Sequence, residues 1–419
     1  MNEYQIDSII GVEIIDSRAN LTLRVFVKTK SGYAAYADAP AGKSKSSKEA
    51  FELRDSNGIT LNNALRVIEN YVEPALKGVN VTDQRNIDKI LKDIDGTNNF
   101  SKIGGNVAIA TSLAASRTAS LELGVDYFFY IGGKFARTIP VPLLNIINGG
   151  VHAGNNLRIQ EFLIIPFNFE TFKEAIEASS LVYHKLKGKI KEKFGPIFTS
   201  VADEGGFSPP LSRTEEALNL VYSSIKDAGF DGRIAMGMDA AASEFYYKEK
   251  LAYVLDDKEF SKDELLDYYR GLVDEYPLLY LEDPFHENDM DSFTELQKNL
   301  KKTIIVGDDL YATNSVYLTE GIKGKATKGV IVKPNQIGTL SGTFDFVELA
   351  KRNNIKTIVS HRSGDTEDNY VADLAVGLSS DFIKSGAPAR GERISKYNRL
   401  LTLEKLYELK YLGKNALYL

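Results

Sequence analysis

The chain has 419 residues, of which 43% are hydrophobic and 26% charged, with a net charge of −6 and no cysteine. That length exceeds the size at which one hydrophobic core stops growing, so two domains are expected. Interspersed acids and bases exclude a basic nucleic-acid-binding face, no apolar run of about 18 residues is present to span a membrane, and the missing thiols exclude disulfides and thiolate metal sites. Four histidines, His152, His184, His286 and His361, are too scattered for a His-rich metal centre, so any metal is expected on oxygen ligands. The amino terminus, MNEYQIDSII, lacks the basic-then-apolar layout of an export signal, which makes the cytoplasm the expected compartment.

In chain order, LTLRVFVK places Leu21, Leu23, Val25 and Val27 on one face at strand period. YAAYADAP follows a Ser-Gly turn and predicts a hairpin partner. AGKSKSSKEA is small and basic. From Thr60 the period becomes helical, through Leu61, Ala64, Leu65, Ile68, Val72, Ala75 and Leu76, with Thr60 as the start and Gly78 as the stop. A second helix fits Gln84 to Ile94, and the Ala/Ser-rich NVAIATSLAASRTASLELG should pack closely against its neighbours. Residues 1–130 therefore read as a small α+β domain, and 131–419 as a second domain.

The second part opens with two apolar runs, PLLNIIN and EFLIIP, whose short connection has no helical pattern and predicts an antiparallel pair. Helical stretches follow near 168–193 and 213–229. Then apolar runs end in turn at Asp239, Glu282, Asp308, Lys333, His361 and Lys384, each followed by a segment of helical period. The pattern is ββαα(βα)6. Eight strands in this order predict a closed α/β barrel with its site at the carboxyl ends of the strands. An open doubly wound sheet is the alternative, though no GxGxxG follows any strand.

In a barrel, Asp239, Glu282 and Asp308 end consecutive strands and converge. Taken singly each reads as a solvated strand end; together, three crowded carboxylates call for a divalent cation, and all-oxygen ligands suit Mg²⁺. Lys333 and Lys384 either neutralise these acids or, as two neighbouring cations beside a metal, lower each other's proton affinity until one serves as a general base. Glu161 and Glu204, in QEF and DEGG, supply a carboxyl pair across the ring. Arg362 and Ser363, in SHRSGDTEDNY, suit a phosphate or carboxylate, since guanidinium and hydroxyl both donate. The set fits removal of a proton α to a carboxylate with loss of a leaving group.

EIIDSRANLT, ELRD, DGTNNFSKIGGN, PVPLLNIINGGVHAGNN, MGMDAAASEF, LEDPF, VGDDL, KPNQIGTLS, SHRSGDTEDNY and IKSGAPARGER run nearly end to end. With these motifs the sequence closely resembles the enolase family. The resemblance implies reversible dehydration of 2-phosphoglycerate to phosphoenolpyruvate, two Mg²⁺ per site in the closed complex, and a homodimer or a multiple of one. By motif, it implies that Asp239, Glu282 and Asp308 bind the tighter Mg²⁺ and Ser44 ligates the second. It assigns Lys333 to the C2 proton, Glu204 with Glu161 to the C3 hydroxyl, and Lys384 to the substrate carboxylate. Arg362 and Ser363 would hold the phosphate, with Glu282, Asp308, His361 and His152 around the substrate and His152 on a loop that closes over it.

Two stretches depart from the family. Ala19 and Leu21 stand where Gly and Pro are usual, so Ala19 is strained if its backbone needs positive φ. Lys43, Lys45 and Ser46 replace Ala, Thr and Gly in the closing loop. His184 is expected on a helix surface and His286 in a loop near Glu282. A different enzyme on this scaffold would keep the metal triad and change the anion cradle, and a structural or surface-binding protein retaining the fold would tolerate loss of Lys333, Glu204 or a metal acid; SHRSG, IKSGAP and all of those residues are present.

Overall fold

Ile6–Ile15, Leu21–Thr29 and Ala34–Asp38 form an antiparallel three-stranded sheet in the computed structural model, which describes residues 3–43 and 46–417. The predicted hairpin is its second and third strands, paired Val25 to Ala37 and Val27 to Ala35, and Leu23, Val25 and Val27 are fully buried. The first strand was not predicted. Its run IDSIIGVEII blurs alternation, because Ile10, Val12 and Ile15 are exposed alongside buried Ile6 and Ile9.

The helix expected from Thr60 is divided. Asn62–Val67 and Glu73–Leu76 are α-helical, and Ile68–Val72 between them is a π turn. Pro74 is the reason: it has no N–H to donate, and its ring crowds the carbonyl of Asn70, so the preceding turn widens. The cap is Asp55 rather than Thr60, its carboxylate accepting from the backbone N–H of Asn62 (3.0 Å) and Asn63 (2.8 Å). Gln84–Asp95 starts on Asp83, whose side chain accepts from Asn86 N–H. Gly105–Glu122 is buried on nearly every side against the sheet, and small Ala, Ser and Thr side chains allow that approach.

Eight strands close a barrel in chain order: Val141–Asn148, Glu161–Ile165, Ala235–Asp239, Leu278–Glu282, Ile304–Gly307, Gly329–Val332, Lys356–Ser360 and Phe382–Lys384. The last pairs in parallel with the first. Glu161–Ile165 is antiparallel to both neighbours, so it alone runs against the other seven. Phe172–Phe194 and Thr214–Asp227 are the two helices before the repeating units. An unpredicted meander, Tyr246–Tyr247, Ala252–Leu255 and Lys258–Phe260, precedes helix Lys262–Glu275; its strands are too short to show alternation. Among the described residues no helix is long and apolar enough to cross a membrane.

Candidate active site

The reversed strand explains how Glu161 reaches the barrel mouth. Glu161 begins its strand, yet it pairs with Asp239, which ends its own, and Asp239 pairs in turn with Glu282. Between the last two strands, Ser360 pairs with Lys384. A cavity of about 20 Å³ at this mouth is lined by His152, Gln160, Glu161, Glu204, Asp239, Lys333, His361, Arg362, Ser363 and Lys384, with Gly42 over it.

Lys384 organises the acids. Its Nζ lies 2.9 Å from Asp239 Oδ2, 2.8 Å from Glu282 Oε2 and 2.9 Å from Glu161 Oε2, all essentially buried. Burial lowers its proton affinity, but these three carboxylates outweigh that and hold the ammonium well above the ordinary lysine range. Glu282 is pushed up to about 7 by burial and by Asp239, despite Lys384. One of its oxygens accepts from Tyr280 OH at 2.5 Å, and the other, Oε1, is buried with no partner.

Lys333 donates to Asp308 Oδ2, and Gln336 Nε2 donates to Asp308 Oδ1 at 3.1 Å. The expected lowering of Lys333 is not what the protein groups produce. Burial, Arg362 and Lys384 do lower it, but the touching Asp308 carboxylate outweighs them and holds Lys333 above its ordinary value. In return, Lys333 overcomes the burial of Asp308 and keeps that carboxyl below the usual range.

Glu161 and Glu204 form the opposite wall. Burial, then Glu204, raises Glu161 well above the ordinary carboxyl range. Burial acts the same way on Glu204, but the positive ends of the His152 and His361 rings, with the cations Arg393 and Lys384, overcome it and hold it well below. Of the two, Glu161 holds a proton the more readily. Asn145 Nδ2 donates to Glu204 Oε2 at 3.0 Å, while His152 Nδ1 and His361 Nε2 lie 3.5 and 3.8 Å from Glu204 Oε1. The two glycines after Glu204 are required: Gly205 has φ +84 and a Cβ there would meet Ala389 O at 2.6 Å, and one on Gly206 would meet Asn148 Oδ1 at 2.5 Å.

Arg362 and Ser363 leave the barrel under the N-terminal loop. Lys43 N–H donates to Ser363 Oγ at 2.7 Å, and Ala41 pairs with Gly364. The Arg362 guanidinium forks onto Glu49, with Nη1 and Nη2 at 2.9 and 3.0 Å from its carboxylate oxygens. Glu49 belongs to the flank of that loop. Ser46 and Ser47 hydroxyls donate to Glu287 (2.5 and 2.9 Å), and Lys48 Nζ donates to Glu287 O at 2.7 Å. The added cation Lys43 is exposed and points to Asp203, 3.5 Å away. Ser44 and Lys45 lie outside the described residues. Ala19 has φ +58, in a turn where Asp16 Oδ1 accepts from Arg18 and Asn20 N–H.

Comparison with known proteins fits this geometry. The family described as "Enolase, N-terminal domain" matches residues 6–131, and "Enolase, C-terminal TIM barrel domain" matches 136–418. The chain is 57% identical over 414 residues to an enolase of Saccharolobus solfataricus, covering 99% of each chain. The chain belongs to the enolase family. It is likewise 57% identical over 416 residues to the enolase of Sulfolobus acidocaldarius, again with 99% of both chains covered.

Within the family frame the mouth is an acidic cluster able to hold a cation. The donors are carboxylate oxygens, Glu282 Oε1 is buried without a partner, and the proton affinity of Glu282 is what a nearby dication relieves. Among the described residues, Asp283, Asp308 and Asp309 bring carboxylate oxygens within 4.8 Å of one another, and His152, Glu161 and Glu204 do the same with their ligand atoms. Asp283 and Asp309 escaped the sequence reading, although each directly follows a predicted acid. Asp283 accepts from the N–H of Asp308 and Asp309 (2.9 and 2.8 Å) and so fixes that strand end. Gln160, Asn145 and Glu49 were also missed; none carries a local signal beyond its motif. His184 is exposed on its helix. His286 packs on the Tyr246 ring, centroids 4.7 Å apart, and does not line the mouth cavity.

Proposed function

We propose that the protein is a working enolase, a carbon–oxygen lyase that reversibly dehydrates 2-phosphoglycerate to phosphoenolpyruvate in glycolysis and gluconeogenesis. The observation that carries this reading is the meeting of Lys333, the split carboxyl pair Glu161–Glu204 and the Arg362–Ser363 cradle at one mouth. Asp239, Glu282 and Asp308 would hold one Mg²⁺ and Ser44 would help hold a second, and these ions would supply positive charge to the substrate carboxylate. Lys333, once neutral, takes the C2 proton. The Glu161–Glu204 pair carries a proton to the C3 hydroxyl, which departs as water, and His152 and His361 flank Glu204. Lys384 holds the substrate carboxylate, and Arg362 and Ser363 hold the phosphate. Proton loss beside a carboxylate adds a second charge there, costing several pKa units at about 1.4 kcal/mol each. Lysines and metals match that demand, whereas one neutral hydrogen bond of roughly 1 kcal/mol does not.

The same reading divides the chain into a capping domain, 1–130, and a barrel, 131–419. It places the protein in the cytoplasm as a homodimer or a multiple of one, acting on a small molecule rather than a nucleic acid or a membrane. No observation favours a purely structural role. The test is ultraviolet absorbance of the phosphoenolpyruvate double bond after mixing with 2-phosphoglycerate, first with Mg²⁺ and then with excess chelator. Metal-dependent turnover is expected; a folded protein inert at saturating Mg²⁺ refutes the proposal.

A further inference from the structure

Arg393 lies in helix Gly391–Tyr407, outside the residues assigned above, and is the largest fully buried side chain among the described residues. A buried guanidinium is tolerated where most of its donors are used; here Nε makes no hydrogen bond and lies 3.4 Å from Glu392 Oε1, and the rest are taken up. Nη1 contacts His361 Nδ1 at 2.6 Å and donates to Arg362 O at 2.7 Å. Nη2 donates to Ser363 O at 2.6 Å and Asp203 O at 3.0 Å, with Ser17 Oγ at 3.3 Å beside them. The four Nη hydrogens are therefore committed, and they tie the carbonyls of the anion cradle to the one just before Glu204.

The contact with His361 has one chemical solution. Arginine does not lose its proton in proteins and has no lone pair to offer, so Nη1 can only donate. A hydrogen on His361 Nδ1 would face it across 2.6 Å. Nδ1 must therefore be bare, and a neutral ring then carries its hydrogen on Nε2. Nε2 faces Glu204 Oε1 at 3.8 Å, a gap that a small shift or one bridging water closes.

We propose that Arg393 is a positioning residue that locks His361 as the neutral Nε2–H tautomer, with that hydrogen directed at Glu204. His361 then acts toward Glu204 as a fixed donor, not as a base that shuttles protons through Nδ1. Charges around the ring agree: burial lowers its proton affinity, Glu204 opposes this, and Arg393, Lys384 and Lys396 lower it further, leaving it well below the ordinary histidine range. The inference deepens the proposed function, since it concerns the partner of the proposed acid, but its test needs neither substrate nor metal.

The test is a long-range ¹H–¹⁵N correlation spectrum of deuterated, ¹⁵N-histidine-labelled protein. With four histidines the spectrum is simple, and loss of one ring in His361→Gln assigns it. In the unaltered protein His361 should show a bare Nδ1 and a protonated Nε2, unchanged from roughly pH 6 to pH 8. A protonated Nδ1, or an imidazolium anywhere in that range, overturns the proposal. In Arg393→Lys the single ammonium cannot serve both ring and carbonyls, and the spectrum should shift to mixed tautomers or to a titrating ring. Arg393→Met, if it folds, should do the same. An unchanged Nε2–H ring in a folded variant shows that Arg393 is not the cause. Turnover is measured in parallel: the predicted tautomer without turnover refutes only the enolase assignment, and turnover with the wrong tautomer refutes only the role of Arg393.

Discussion

Glu49→Ala removes the carboxylate that grips Arg362. Both partners are nearly buried, at 8% and 3% side-chain exposure, and the fork comprises two charge-assisted bonds of 2.9 and 3.0 Å. Breaking one side of a buried pair costs about 3–5 kcal/mol. Asp308 and Asp309 also attract Arg362, so the lower end applies, about 3 kcal/mol. Glu49 further accepts from Ser46 N–H and Gln336 Nε2, both at 3.3 Å, which ties the closing-loop flank to the cradle. Thermal unfolding in chelator, without substrate, should show a fall in Tm of roughly 5 °C. A double-mutant cycle with Arg362→Ala sharpens the point: the double variant should lose less than the summed single losses, by roughly 1.5–3 kcal/mol. An unchanged Tm, or strict additivity, would show that the fork contributes nothing in solution.

Three further outcomes are expected. Lys333→Ala should abolish exchange of the substrate C2 proton with deuterated solvent, a loss of at least about 10²–10⁴-fold, and retained exchange would mean another base. Glu282 has its folded pKa raised from 4.5 to about 7, so its stabilising share is complete below the unfolded value and is lost as pH rises through the folded one. In chelator, Glu282→Gln should therefore gain on the unaltered protein as pH climbs from about 4.5 through 7, by up to about 3 kcal/mol, and a pH-independent gap refutes this. Ala19→Gly should raise stability by about 0.5–1 kcal/mol, because the left-handed backbone at φ +58 costs alanine roughly 1–2 kcal/mol and glycine's greater unfolded freedom offsets part of the gain; a lower Tm contradicts it.

Most of the barrel was legible because strand–helix alternation is local. Apolar runs of strand length ended in Asp239, Glu282, Asp308, Lys333, His361 and Lys384, and those residues do stand at the mouth. The π turn before Pro74 was readable in principle, since the missing N–H is a property of one residue. The short meander between Asp239 and Lys262 was not, because strands of two to four residues show no period. The capping role of Asp55 was likewise hidden, as the nearer Thr60 looked equally suitable.

The sequence by itself determined which strand-end side chains meet at the mouth, because period and connection length decide the order of strands, and closure of the barrel then gathers their ends. Only the tertiary structure decided what those side chains do to one another. Glu49 and Arg362 are 313 residues apart, and Arg393 reaches His361 from a helix 32 residues on, distances over which no pattern in the chain carries information. The direction in which Lys333 is shifted turned on whether contact with Asp308 outweighed burial and the nearby cations Arg362 and Lys384. Electrostatics falls steeply over a few ångströms, so such questions are settled by packing and not by composition or spacing.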